Sequence, residues 1–336
     1  MVINEDKTEF MAIASNSPLD KLPIVISPAS GELSVKHCDS YTYLGAIFTS
    51  DGKVTSTMSH HITSRTKTMN KLIIFLDRNK SIPYFVKKKV LDACFSTSLL
   101  YGCEAWLGVK PSQDLKAFYM KAIKLLLGVR QSTHNESCLL ESGYPSLEAQ
   151  IRARQQAFFS KMVREREGRE DDPLMFALRL THADNKVMSA YIRELEGAGD
   201  IIEADLRRRR GVVCADRQST RARTYLDMNP GLSIHPVYVG QSLLDDALRI
   251  WFTRFRLSSH RLRIETGRWA RIDANERFCQ CGDVVQSEKH VLEDCPLVQH
   301  IRTKYSTENL ELETFVCTEK TDSDLRLLRD ILKFYE

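Results

Sequence analysis

No apolar run in this chain of 336 residues approaches the roughly eighteen residues that a membrane-spanning helix needs. Its first residues, Met1-Val2-Ile3-Asn4-Glu5-Asp6, lack the basic start and apolar centre of a secretion signal. The expectation is a protein without a membrane segment. The nine cysteines are scattered and odd in number. They do not form the dense framework of a small secreted domain, so reduced thiols and a nuclear or cytoplasmic setting are expected. Charge bias is also scarce. A net charge of +4 does not by itself point to nucleic acid, so any such argument rests on where the charge lies. No Gly-rich phosphate loop, no G-x-S-x-G and no H-E-x-x-H occurs. Two-metal phosphoryl transfer needs converging carboxylates. Of the two Asp-Asp pairs, Asp171-Asp172 sits in a charged run and Asp245-Asp246 enters an expected helix, so both read as helix-terminal or surface residues.

What is present is globular in character, with 43% hydrophobic residues and modest Gly and Pro, and the length suits two or three domains. The first fifty or so residues alternate as strands do: Phe10 to Ile13, Ile24 to Ile26, and Tyr41 to Phe48, punctuated by Pro18, Pro23, Pro28, Gly31 and Asp51-Gly52. Beyond Gly52 the period becomes helical, with Met58, Ile62, Met69, Leu72, Ile73 and Leu76 on one broad face. Ser81-Ile82-Pro83 predicts a second helix start, and Pro111-Ser112 to Gly128 frames another helix. A turn at Gly143-Tyr144-Pro145 leads into a helix that ends in the charged run Arg164 to Asp172. From 173 to 235 the pattern is helical in pieces but broken by glycine and proline, and partial disorder is expected. A last helical region starts near Gln241, and a final helix carries Leu328, Ile331 and Leu332. His60-His61 point about 100° apart on the first long helix, so one should be exposed and the other packed. The fold class is mainly α with a small N-terminal antiparallel β region.

The sharpest constellation is Cys279, Cys281, His290 and Cys295, spaced C-x-C-x8-H-x4-C. Thiolate and imidazole are the donors that zinc takes in closed tetrahedral sites, so a structural zinc is the cofactor expected. Gly282-Asp283 supplies the turn, Ser287 can cap a helix bearing His290, and Pro296 can open the next helix beside Cys295. A knuckle more often has two residues between its first cysteines, which leaves His300 open as a substitute ligand. Basic residues gather in two places. One is Arg207, Arg208, Arg209 and Arg210, continued by Arg217, Arg221 and Arg223; the other runs from Arg249 through Arg254, Arg256, Arg261, Arg263, Arg268, Arg271 and Arg277, interleaved with Trp251, Phe252, Phe255 and Trp269. Guanidinium groups meet phosphates and rings stack on bases, so RNA or single-stranded DNA is the partner this pattern fits. The same aromatic spacing also suits a helical core. Lys87, Lys88 and Lys89 form a smaller cluster, also readable as a solvated helix face.

Lys7-Thr8-Glu9-Phe10-Met11, then Tyr43-Leu44-Gly45, Asp51-Gly52 and Tyr101-Gly102-Cys103-Glu104-Ala105-Trp106, in that order, resemble non-LTR (LINE-type) retrotransposon reverse transcriptases. The segment Arg254-Phe255-Arg256 through Arg263-Ile264-Glu265-Thr266-Gly267-Arg268-Trp269, with the cysteine-histidine cluster, is similar to that family's carboxy-terminal part. The resemblance implies the end of a palm at 1–55, a thumb-like helical bundle at 56–130, a helical connector at 131–170, an irregular basic linker at 171–240, and a helical C-terminal segment with a zinc knuckle at 241–336. It also implies that fingers, most of the palm and an endonuclease would precede Met1. The family's aromatic-x-Asp-Asp motif is absent. The expectation is a catalytically incomplete RNA-directed DNA polymerase fragment that binds nucleic acid and is not itself an enzyme. The alternatives are a non-catalytic structural or interaction protein with a zinc site, and a piece of a complete polymerase.

Overall fold

The computed structural model describes residues 8–336 except 16, 27–32, 167–171, 174, 177–182, 184–185, 217–219, 240–243 and 307–309, and describes only the backbone of 33 and 220–223. Lys7, Asp171 and Arg217, and the side chains of Arg221 and Arg223, therefore lie outside the described residues. The chain is mainly helical with a small N-terminal β region. The strands are β1 (Glu9–Phe10), β2 (Ile24–Ile26), β3 (Leu33–His37), β4 (Ser40–Tyr43) and β5 (Ala46–Thr49). Antiparallel pairing holds for β2 with β3 and for β4 with β5, but β1 runs parallel to β3. The helices are α1 (Val54–Arg78), α2 (Tyr84–Val90), α3 (Thr97–Leu99), α4 (Gln113–Leu127), α5 (Asn135–Ser142), α6 (Leu147–Arg166), α7 (Lys186–Gly197), α8 (Ile201–Ala215), α9 (Thr220–Met228), α10 (Asp246–Arg256), α11 (Arg263–Trp269), α12 (Gln299–Lys304), α13 (Leu312–Cys317) and α14 (Asp322–Phe334). A π-helical stretch, Leu91–Ser96, lies between α2 and α3.

Stops and starts follow from local chemistry. Gly128 and Gly143 end α4 and α5 with φ of 72° and 69°, a left-handed conformation that costs glycine no Cβ clash. Asp245 caps α10 by accepting the Ala247 N–H at 2.9 Å, and Thr321 with Asp324 forms a capping box at α14. The region broken by glycine and proline in the sequence holds α7, α8 and α9. Gly211 lies inside α8, where its Cβ position meets nothing within 4 Å, so the helix passes through it at a cost of only about 1 kcal/mol.

The chain divides into two compact units, each built from separated segments: residues 1–67, 96–118 and 150–198 in the first, 68–95, 119–149 and 199–336 in the second. In the first, His61 is buried and bonded to the Leu99 carbonyl at 2.6 Å, while His60 is exposed. Buried Gln155 ties the Cys103 carbonyl at 3.0 Å to the Tyr191 hydroxyl at 2.7 Å. The second unit has an apolar core that includes Ile123, Leu126, Leu140, Phe252, Phe255, Leu328 and Ile331, and α14 packs along α10. Threaded through that core are buried ion pairs. Arg256 meets Glu141 at 2.6 and 3.0 Å, and Asp246 joins Lys87 at 2.6 Å and also Arg249. Asp246 is thus a helix-terminal residue, as its position suggests, but an interior one.

Candidate metal centre and the arginine surface

The local sequence builds the cysteine-histidine cluster in two pieces. The first is a hairpin. Phe278 bridges Val285, the Cys279 N–H donates to the Val284 carbonyl at 2.6 Å, and Gly282 turns the chain at φ 155°. The second is a helical turn whose start is held by Ser287, which accepts the His290 N–H at 3.2 Å. Cys295 closes that turn through its N–H to the His290 carbonyl at 2.8 Å, directly before the 3-10 turn Pro296–Val298. The result places Cys279, Cys281, His290 and Cys295 so that one ligand atom from each lies within 4.8 Å of the others, a group that could hold a metal ion. Cys279 Sγ and Cys295 Sγ are 3.8 Å apart. A tetrahedral site with metal–sulfur bonds of about 2.3 Å has an edge of about 3.8 Å. Cys281 Sγ and His290 Nε2 are 3.2 Å apart. His300, the alternative ligand, is exposed, faces the Phe334 ring and is not in this group.

Burial raises the Cys279 thiol, but the Cys281 N–H and thiol, His290 and Gln286 all favour its thiolate and together bring it down to about 6. Cys281 is pushed up to about 12 by burial and by sharing its proton with Cys279 and Cys295. One negative charge is thus supported in the cluster without a cation. A second ring of polar groups surrounds it. The Gln286 amide reaches Cys279 Sγ at 3.7 Å, the Tyr335 hydroxyl donates to Cys295 Sγ at 2.8 Å, and Arg302 donates to the Cys295 carbonyl at 2.7 Å. Such partners orient ligands and moderate their charge. None has a sequence signature, because each reaches the cluster only through the fold.

The predicted basic residues part company. Arg209 is 1% exposed and closed between Asp205 and Glu136 at 2.7 and 2.6 Å. Arg256 is equally buried and also donates to the Met228 and Val316 carbonyls. Lys87 is spent on Asp246 and on the Lys80 carbonyl at 2.9 Å. These three, expected to face nucleic acid, are interior ions instead, because for each a carboxylate arrives from a distant segment invisible to a local reading (Glu136, Glu141 and Asp246); only Arg209 has a local partner as well, Asp205. Arg254 is half-buried, donating to the Gly128 carbonyl at 2.8 Å. Arg268 pairs with Glu265. Lys88 is paired with Asp92 at 3.0 Å and lies over the Tyr144 ring. Arg207 and Arg208 are exposed but bonded to Glu203 and Asp205, while Arg210, Lys89, Arg261 and Arg263 are exposed.

Trp269 is 49% exposed, so it is not a core residue. The Arg130 guanidinium lies 4.2 Å from its ring centre. The segment carrying Arg261, Arg263 and Trp269 is tied to the metal hairpin. The Arg263 N–H donates to the Gln286 side chain at 2.7 Å, the Ile264 N–H to the Gln286 carbonyl at 3.3 Å, and the Arg263 guanidinium to the Phe278 carbonyl at 3.2 Å. Buried His260 bonds buried Glu288 at 3.0 Å.

No helix among the described residues is long and apolar enough to cross a membrane. Comparison with protein-family models, with curated proteins and with solved structures finds no match.

Proposed function

We propose that this chain is a nucleic-acid-binding remnant of a non-LTR retrotransposon reverse transcriptase, with a structural zinc ion on Cys279, Cys281, His290 and Cys295 and no polymerase activity of its own. The observation that carries the reading is the attachment of an exposed arginine-tryptophan segment to the metal hairpin through Gln286. Zinc is the ion this donor set favours, since three thiolates and one imidazole in a closed tetrahedral group match its structural sites. Once bound, it would fix the hairpin and, through Gln286, the orientation of α11. Arg261, Arg263 and Trp269 then offer two cations and a half-open ring on one short stretch of chain, the combination that suits a single strand. The non-polymerising part rests on the sequence, which has no aromatic-x-Asp-Asp motif.

The test is binding of labelled single-stranded RNA, single-stranded DNA and duplex DNA at several salt concentrations, with zinc-loaded and zinc-stripped protein, beside an assay of nucleotide incorporation on a primed template. Preferred single-strand binding that weakens with salt and with zinc removal is expected, with no incorporation above background. A second reading, a structural or interaction protein, is favoured by the burial of Arg209, Arg256 and Lys87. It predicts a stable zinc-dependent fold with no salt-sensitive affinity for any of the three probes.

A further inference from the structure

A small cavity opens beside the arginine-tryptophan segment, lined among others by Arg130, Ser137, Ser258, Glu265, Arg268 and Trp269. It offers about 20 Å³ to the centre of a water-sized group. That is room for one or two oxygen-sized groups and excludes a base or a sugar ring. Among the atoms of these lining residues that are shut off from solvent without a hydrogen-bond partner among the described residues are the donors Arg130 Nη1 and Ser258 Oγ, and one acceptor, Glu265 Oε2, which lies against Arg268. Buried polar atoms are almost always satisfied, so two unmet donors at one cavity call for a ligand that accepts.

The surroundings say what kind of acceptor. Arg268 and Glu265 neutralise each other, which leaves Arg130 as the uncompensated charge on the wall. Burial, then the charges of Arg261 and Arg254, hold the Arg130 guanidinium below its ordinary value, with only Glu336 opposing. The Arg130 guanidinium is held over the Trp269 ring, which limits the entropy that an arginine otherwise loses on binding. Ser258 sits at φ 50°, a conformation costly for a residue with a Cβ and commonly kept where a site requires it. Ser137 brings the first turn of α5 to the same cavity, and α5 has no side-chain cap at His134, so its positive end adds to the field.

We propose that this cavity is a phosphate site, in which Arg130 and Ser258 donate to the non-bridging oxygens of a phosphate group whose remaining oxygens stay at the open mouth. The phosphate comes either from the backbone of a single-stranded nucleic acid, in which case the site deepens the reading given above and rests on it, or from free phosphate.

The experiment uses the full zinc-loaded chain, with Arg130→Gln, Arg130→Lys and Ser258→Ala. Inorganic phosphate is titrated while the melting temperature and the ³¹P linewidth are followed, and a short labelled single-stranded RNA is titrated separately with and without phosphate. Expected is a saturable phosphate effect in the unmodified chain that Arg130→Gln abolishes and Ser258→Ala weakens. RNA affinity should fall about tenfold in Arg130→Gln, the scale of one charge-assisted bond, with a salt slope smaller by about 0.7. Competition by phosphate for RNA identifies the backbone as source. A phosphate effect that depends on Arg130, beside RNA binding that is absent or indifferent to Arg130, supports the site with free phosphate as its ligand; absent RNA binding also ends the nucleic-acid reading. RNA binding with no phosphate effect and no loss in Arg130→Gln overturns the site while that reading survives. If Arg130→Gln melts early, Arg130→Lys and Ser258→Ala decide. Normal phosphate binding in both Ser258→Ala and Arg130→Lys overturns the proposal.

Discussion

The hydroxyl of Tyr335 donates a hydrogen bond to Cys295 Sγ at 2.8 Å, joining the residue just after α14 to a member of the metal cluster. With zinc bound, this bond would draw charge from the Cys295 thiolate and hold its orientation. Loss of such an outer partner costs about tenfold or more in metal affinity. Tyr335→Phe keeps the ring and removes only the donor, so it should release zinc at least several-fold faster to a chelator without a change in helix content. Equal zinc affinity in a competition titration would leave the hydroxyl without a role in the site.

The buried and exposed arginines should separate cleanly on substitution. Arg256→Gln strips Glu141 of its cationic partner in a fully buried setting, leaving it only the Tyr225 hydroxyl among the described residues, and an uncompensated buried charge destabilises by about 3–5 kcal/mol. Its melting temperature should drop sharply. The double change Arg261→Gln with Arg263→Gln touches exposed side chains, whose replacement is worth about 0.5 kcal/mol or less each, yet it should weaken RNA binding and flatten its salt dependence. Denaturation and binding curves on both proteins check the pair. Reduced stability in the Arg261/Arg263 variant with unchanged RNA affinity would assign those arginines to the fold.

What could be read from the chain alone divides along the range of the interaction. The Gly128 stop, the Pro83 start and the Ser287 cap are decided by neighbours a few residues away, and the helical period alone sets His61 apart from His60; all appear where the pattern puts them. The four metal donors were legible because their spacing lies within one hairpin and one turn. Arg209, Arg256 and Lys87 were not. Carboxylates 73, 115 and 159 residues away, Glu136, Glu141 and Asp246, hold them inside; Arg209 also has Asp205 nearby, but in the same i,i+4 spacing that exposed Arg207 has with Glu203. Nothing local distinguishes them from the exposed Arg261. Parallel pairing of β1 with β3 was missed because alternation shows a strand but not its partner.

His235 gives the second unit a specific acid sensitivity. Its ring is buried against Phe252; Nε2 faces the Thr318 carbonyl at 2.9 Å while Nδ1 accepts the Val237 N–H at 3.1 Å, an arrangement that fits the neutral ring. Burial first, then the Arg256 charge, lowers its pKa from 6.5 to about 4. Because the unfolded chain takes up this proton at higher pH than the folded one, the stabilisation is full above 6.5 and is lost as pH falls from 6.5 towards 4. The loss amounts to about 3 kcal/mol at 1.36 kcal/mol per unit. Urea unfolding across that window should show the slope in the unmodified chain and a shallower one in His235→Gln. Parallel slopes in the two proteins would assign the acid sensitivity to other groups.

Metal removal should act locally. In the second unit α10 and α14 pack through Phe252, Phe255, Leu328 and Ile331, a core that needs no ion. The segment from Arg261 to Arg277 is different. Its α11 is seven residues long, too short to persist alone, and it is held to the hairpin by Gln286, whose side-chain amide also reaches Cys279. Without zinc, the cluster supports one thiolate and its four donors lose their common centre, and the several kcal/mol that ion binding lends to local folding disappears. Trypsin should therefore cut the chelated protein first at Arg261, Arg263 or Arg268, while the loaded protein resists there. Cys281→Ser with His290→Ala should cut at the same places whether zinc is supplied or not, and Gln286→Ala should expose them partly with zinc still bound. A cleavage pattern identical before and after chelation would mean that the hairpin and α11 stand without the metal.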